Sequence, residues 1–524
     1  MSLKAVRISN VRSIKDSGYQ NIAPLTILLG ANGTGKSSFI RSLLLLKQSL
    51  LSKLTNPISF YGDYVDFGDF DACLSRYGDS KEITFGFEVS EPNDYFFYRP
   101  RKMKVTNSNK SVKLEITIAK AEDDTYVKGI ALYFDIFIVK FQCDANGKIN
   151  NTLIYEDKKK VFEDQEGRLE IQKGTIFPSI RTREKNDNND KSFFQLPFQL
   201  ENDAFFFSYN KFSFSLYENA KKKNIELKKV KTSFDDVLKA REKIAFTSLS
   251  DLNQFSKEFG KLVFKDSKDY DVIKLLSNYR NQFIKMKANI LLEILYRDIF
   301  STIRSIHYLG PLRATAERYY RNRPLDTYEL DTHGRNLPNI INSMPKDKLN
   351  NFNKWVKELL GVELSAKIES GHLSLFIKEG DSCEAINLSD TGFGYSQLLP
   401  IITQIWQIIN NRRRESPFED EHILIVEQPE LHLHPKLQAK LAELFSSAIK
   451  KAIECKVQFK IIIETHSQYL INALGRRIQN IKDIQSKDIN ILMFEKDKST
   501  NISNIKFDSD GYLENWPYGF FETE

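Results

Sequence analysis

The segment Gly30-Ala31-Asn32-Gly33-Thr34-Gly35-Lys36-Ser37-Ser38 constrains this chain more than any other. It follows the short apolar run Leu25-Thr26-Ile27-Leu28-Leu29 and precedes the helix-like apolar stretch from Phe39 to Leu50. The order is strand, glycine-rich turn, helix, so the chain must contain an α/β layer. Glycines in such a turn let backbone N–H groups curl around a phosphate at a helix N-terminus. Lys36 then brings an ammonium to the terminal phosphate oxygens, and the Ser37 hydroxyl can ligate Mg²⁺. Asn32, Gly33, Thr34, Gly35, Lys36, Ser37 and Ser38 are therefore candidate nucleotide-binding residues, with Ser37 a metal candidate as well.

Three segments far downstream complete a pattern. Asn387-Leu388-Ser389-Asp390-Thr391-Gly392-Phe393-Gly394-Tyr395-Ser396-Gln397 leads into a helical run from about Leu398. Ile423-Leu424-Ile425-Val426-Glu427-Gln428-Pro429-Glu430 reads as a buried strand ending in acids, followed by Leu431-His432-Leu433-His434-Pro435. Phe459-Lys460-Ile461-Ile462-Ile463-Glu464-Thr465-His466-Ser467 is a second such strand, ending at a histidine.

Taken with the glycine-rich turn, these segments resemble the Walker A, signature, Walker B and switch-histidine elements of ABC-type ATPases, in that order. The likeness is to the SMC, RecF and OLD branch, and it extends over residues 1–90 and 306–524. It implies an α/β ABC-ATPase head of two lobes, a mixed β-sheet with flanking helices, carrying a large β-plus-helical insertion at 91–305. It further implies ATP and Mg²⁺ as cofactors, Glu427 as the Mg²⁺-linked acid, and His466 at the γ-phosphate. Gly392, Gly394, Ser396 and Gln397 would close over a nucleotide held by a second copy, in a sandwich dimer or higher homo-oligomer. Ile8-Ser9-Asn10-Val11-Arg12-Ser13-Ile14 resembles the opening strand of the same branch, which makes Arg12 a nucleotide contact, against the alternative of a solvated edge-strand arginine. His432 and His434 are absorbed by the same match, and no zinc site is assigned.

One position departs from the family pattern. The residue after the Walker B acid is normally a glutamate that activates water, and here it is Gln428, which cannot accept that proton. Either hydrolysis is slow and nucleotide acts as a conformational ligand, or Glu430, two residues on, supplies the carboxylate. Gln428, Glu430 and His466 are thus the candidate catalytic residues.

Between the lobes, Ile83–Val89 and Val112–Ile118 alternate apolar and polar residues at period two, as half-buried strands do. Ile130–Phe141 and Thr152–Tyr155 are further strand candidates, joined through Asp144-Ala145-Asn146-Gly147. From about Phe234 to Arg304 the period becomes helical, without the sustained heptads of a long coiled coil. The aromatic cluster Phe205-Phe206-Phe207, Phe212 and Phe214, with Lys221-Lys222-Lys223, Lys228-Lys229 and Lys231, permits single-stranded nucleic-acid binding, against the alternative of sheet core and solvated loops.

Composition bounds the remaining classes. The 76 Lys plus Arg against 69 Asp plus Glu give a net charge of +7, small for a chain of 524 residues and no sign of a dedicated nucleic-acid protein. Cys73, Cys143, Cys383 and Cys455 lie far apart, fitting reduced thiols in a cytoplasmic protein. No apolar run reaches the ~20 residues of a spanning helix, so no membrane association is expected.

OLD nucleases carry a nuclease domain after the ATPase, but the stretch from His466 to Glu524 is short of the roughly 100 residues such a domain needs. The resemblance to ATPase subunits of anti-phage systems, PtuA-like or AriA-like, implies a sensor and scaffold whose effector, a nuclease, is a separate protein. The alternative is a RecF-like DNA-repair ATPase that binds DNA directly. A transporter subunit is disfavoured by the atypical signature and the long insertion.

Overall fold

The structure, a computed structural model, describes residues 2–52, 55–90, 111–134, 136–165, 169–182, 270–321, 329–380, 384–410 and 421–514. The aromatic and basic cluster at 205–231, the helical pattern before Tyr270, Cys383 and the tail from Asn515 lie outside the described residues. The chain divides into two compact units, each assembled from stretches distant in sequence: residues 54–58 and 84–298 in one, residues 2–53, 59–83 and 299–524 in the other.

The second unit is built on a seven-stranded sheet. Its order is Ile306–Leu309, His422–Glu427, Phe459–Glu464, Leu25–Gly30, Ile489–Lys496, Thr500–Phe507 and Leu513–Glu514. The first five strands run parallel and the last two antiparallel. Leu25–Gly30 and Phe459–Glu464 are buried at every position, as unbroken apolar runs are when helices cover both faces of a parallel sheet. Lys36–Leu51, Phe393–Asn410, Pro435–Glu454 and Gln468–Arg476 are the unit's main helices beside this sheet. Leu25, Ile27, Leu424, Val426, Ile461, Ile463, Ile491, Phe445 and Ile402 belong to one continuous core. This arrangement is the expected α/β fold, a mixed β-sheet with flanking helices. Its consequence is positional: Gly30, Glu427 and Glu464 all stand at the carboxyl ends of parallel strands, where α/β sheets hold their ligands.

A smaller antiparallel sheet in the same unit pairs Val362–Glu369 with His372–Glu379, flanked by Tyr320–Arg321 and Ile386–Asn387. It ends at Asn387, whose side chain accepts from the Ser389 N–H and starts the short turn leading to the Phe393–Asn410 helix.

The first unit carries an antiparallel sheet. Ser111–Ala121, Asp124–Phe134, Phe137–Cys143 and Lys148–Glu156 pair in sequence order, and Asp144–Gly147 forms the expected turn. The expected strand over 130–141 is instead two: one ends at Phe134 and the next begins at Phe137. In sequence only Asp135 interrupts the hydrophobic residues there, and no glycine or proline marks the corner. The Tyr270–Arg304 helix is the described part of the expected helical stretch. Within this unit Tyr296 packs 5.5 Å from the Phe177 ring, and Lys285 pairs with Asp164.

Candidate nucleotide site

Gly30, Gly33 and Gly35 all take positive φ, at 148°, 76° and 109°. At Gly30 a Cβ would lie 2.3 Å from the Phe494 carbonyl oxygen, and at Gly35 it would lie 2.6 Å from Thr500 Oγ1 and 2.8 Å from Ser13 Oγ. Glycine is thus required at Gly30 and Gly35 by both backbone and space, and favoured at Gly33 by the backbone alone. Ala31, Asn32 and Gly33 form the exposed tip of the turn, while Thr34, Gly35 and Lys36 are buried.

Lys36 Nζ donates to the Gly30 carbonyl at 2.9 Å and the Ala31 carbonyl at 2.8 Å, folding the ammonium over its own loop. Burial lowers its pKa, and Glu464, 3.9 Å away, opposes that. Ser37 Oγ donates to the two Glu464 carboxylate oxygens, at 2.9 and 3.2 Å. Ser38 lies one position on in the same first turn, its carbonyl accepting from Ser42 Oγ. The Thr500 hydroxyl donates to the Thr34 carbonyl at 2.7 Å and sits 2.9 Å from Ser13 Oγ, bracing the turn from the antiparallel edge of the sheet.

Glu427 and Glu464 are register partners on neighbouring parallel strands, so their side chains leave the same face of the sheet about 5 Å apart at the backbone. The Tyr308 hydroxyl donates to Glu427 Oε1 at 3.0 Å, and Arg313 Nη2 donates to the Glu427 carbonyl at 2.9 Å. Burial, then the charge of Glu464, pushes the Glu427 pKa up to about 7. Burial also raises Glu464, with Lys36 opposing. Arg313 is 5% exposed, and its Nε and Nη1 have no hydrogen-bond partner; burial lowers its pKa to about 10.

Gln428 takes φ 44°, and its N–H donates to the Glu464 carbonyl at 2.7 Å. Glu430 Oε1 accepts the His466 backbone N–H at 2.7 Å, while its Oε2 is buried without a hydrogen-bond partner. Burial raises the pKa of Glu430 and lowers that of His466, with nearby Lys36 reinforcing the latter, which favours the uncharged imidazole. Its Nε2 is also buried and unpaired. His434 caps the Pro435–Glu454 helix through the Lys436 N–H.

Lys36, Ser37, Glu427, Glu430 and His466 therefore gather at one end of the sheet. The Arg12 guanidinium lies 5.0 Å over the Phe67 ring and donates to the Phe67 carbonyl. Its neighbour Asn10 is buried, with Nδ2 donating to the Ser80 and Glu82 carbonyls. In the signature segment Gly392 is exposed at φ 80° with nothing within 4 Å of an added Cβ. Ser396 and Gln397 are buried in the first turn of the following helix, and Gln397 Oε1 is unpaired. Sequence reading passed over Glu464, Tyr308, Arg313 and Thr500 as site residues. Glu464 alone left a readable signal, an acid closing an apolar strand one step from His466, as Glu427 closes its own.

The oxygen donors Ser37, Glu427 and Glu464 suit a hard divalent cation such as Mg²⁺. Fold and candidate site are those of an α/β ATPase. The chain belongs to the AAA ATPase domain family, whose model matches residues 1–471. It is 26% identical over 103 residues to a protein named Endonuclease GajA from Bacillus cereus (strain HuB5-5); the match spans 18% of this chain and 15% of that protein. Among solved structures, the SMC head domain with an extended coiled coil bound to the C-terminal domain of ScpA, from Pyrococcus furiosus, is 12% identical. It covers 96% of each chain at a TM-score of 0.34. The SMC head domain from Thermotoga maritima is 11% identical and covers 96% of this chain and 98% of that one, also at 0.34. Among the described residues no helix is long and apolar enough to cross a membrane.

Proposed function

We propose that this chain binds ATP with Mg²⁺, pairs with a second copy around it, and serves as a cytoplasmic sensor and scaffold for a separate effector of nuclease type in anti-phage defence. The carrying observation is the placement of Lys36 and Ser37, at a turn whose Gly30 and Gly35 leave no room for a side chain, beside two acids on adjacent strand ends. Loop N–H groups and Lys36 would bind the phosphates. Ser37 and Glu427 would hold the cation, whose role is to neutralise phosphate charge. Neutral His466 would meet the γ-phosphate through its unpaired Nε2.

Gly392, open and exposed before a helix N-terminus, is the natural edge for the opposing copy to present to that phosphate. With Gln428 lacking a carboxylate, pairing rather than turnover is the output. The local likeness to a protein named an endonuclease supports an effector that cuts nucleic acid.

Light scattering tests this. The wild type should double in mass with ATP and Mg²⁺, and Lys36→Ala should not. Gly392→Arg should bind nucleotide yet stay single. A wild type whose mass ignores nucleotide would end the pairing reading, and co-purification with neighbouring gene products would test for the effector.

A further inference from the structure

We infer that Glu464 is the second carboxylate of the Mg²⁺ site, sharing the cation with Glu427 while orienting Ser37. The inference rests on the nucleotide-site reading above and adds a residue to it. Glu464 ends the strand lying between the phosphate-loop strand and the Glu427 strand. It is therefore the acid nearest the loop: its carboxylate accepts the Ser37 hydroxyl at 2.9 Å, and Lys36 stands 3.9 Å off.

Glu427 lies one strand further out, in register with Glu464 and facing the same side. Two carboxylates so placed, both nearly inaccessible at 3% and 4% exposure, repel one another in a site little screened by water. Tyr308 gives Glu427 one hydrogen bond and Ser37 gives Glu464 one, but neither neutralises charge. Lys36 is the nearest cation to Glu464, and it is the residue that must turn to the phosphates when nucleotide arrives. A divalent ion among Ser37, Glu427 and Glu464 supplies the positive charge that Lys36 then withdraws. Ser37 can do both jobs at once, its lone pair facing the ion while its hydroxyl keeps donating to Glu464.

The test is ATP affinity by titration calorimetry, with Mg²⁺ and with EDTA, in the full-length protein. Glu464→Gln keeps an acceptor for Ser37 and removes the charge. It should leave affinity in EDTA intact or improved and cut the Mg²⁺-dependent gain by about tenfold or more. Glu427→Gln should cut the same gain. A Glu464→Gln protein with the full Mg²⁺ gain overturns the inference. So does one that loses ATP equally in EDTA, because Glu464 would then serve the loop and not the ion. If Glu464→Gln does not fold, Glu464→Asp reads the same quantity: a reduced gain is expected, and an undiminished one overturns the inference. Lys36→Ala separates the two readings, since retained ATP binding there sinks the nucleotide site itself whatever Glu464 does.

Discussion

Ser37 and Glu464, 427 positions apart in sequence, are joined by a hydrogen bond of 2.9 Å at the carboxyl end of the central sheet. Around that bond stand the ammonium of Lys36, the second acid Glu427 and the backbone that carries His466. The site's behaviour should follow from those contacts.

Replacing Lys36 with Ala removes a buried charge whose present partners are the two loop carbonyls of Gly30 and Ala31. Charge-assisted hydrogen bonds contribute about 1.5–3 kcal/mol each. Nucleotide affinity should therefore fall by about tenfold to more than a hundredfold, measured with a fluorescent ATP analogue. Thermal stability should change little, because relieving the desolvation of the buried ammonium offsets the loss of its two carbonyl bonds.

Gly35→Ala should destabilise the protein outright. The residue sits at φ 109°, and the new methyl would press on Thr500 Oγ1 at 2.6 Å and Ser13 Oγ at 2.8 Å. Backbone strain of this kind costs on the order of 1–3 kcal/mol. A clear drop in the melting temperature is expected, together with weaker nucleotide binding; an unchanged melting curve would contradict the geometry.

Gln428→Glu places a proton acceptor beside Glu427 and, on the proposed reading, should raise phosphate release by about a hundredfold or more, the usual contribution of a general base. Glu430→Gln bears on the rival. Its carboxylate holds the His466 N–H at 2.7 Å, so the variant should loosen the histidine loop and weaken ATP binding without abolishing turnover. If wild-type turnover is ordinary and Glu430→Gln alone eliminates it, Glu430 is the base and the slow-switch account is wrong.

Glu427 gives the nucleotide-free protein a pH dependence. Its folded-state pKa is raised to about 7, first by burial and then by Glu464, so the folded state holds its proton more tightly than the unfolded chain. Stability from this group is fully present below the unfolded value near 4.5 and is lost as pH climbs through about 7. Melting temperature without Mg²⁺ should decline across that window, and Glu427→Gln should flatten the decline. Equal slopes in the two proteins would show that Glu427 is not the titrating group.

The glycine turn, the acid-ended strands and the histidine after them are short, contiguous patterns. Backbone geometry alone imposes them, so residues 25–51, 423–430 and 459–467 announce their roles without a fold. The same local logic fails where the signal is continuous. Between Ile130 and Phe141 a largely apolar stretch, broken at the corner only by Asp135, hides the break between Phe134 and Phe137, because the core asks for hydrophobic side chains on both strands of that hairpin.

Sequence by itself determined most of the elements and marked one turn as a candidate phosphate loop. Only the tertiary structure decided their neighbours. Parallel pairing set Phe459–Glu464 between Leu25–Gly30 and His422–Glu427, delivering Glu464 to Ser37, and brought Thr500 beneath Thr34. Strand order is settled by burying both faces of a whole sheet at once, a condition that no local stretch of residues records.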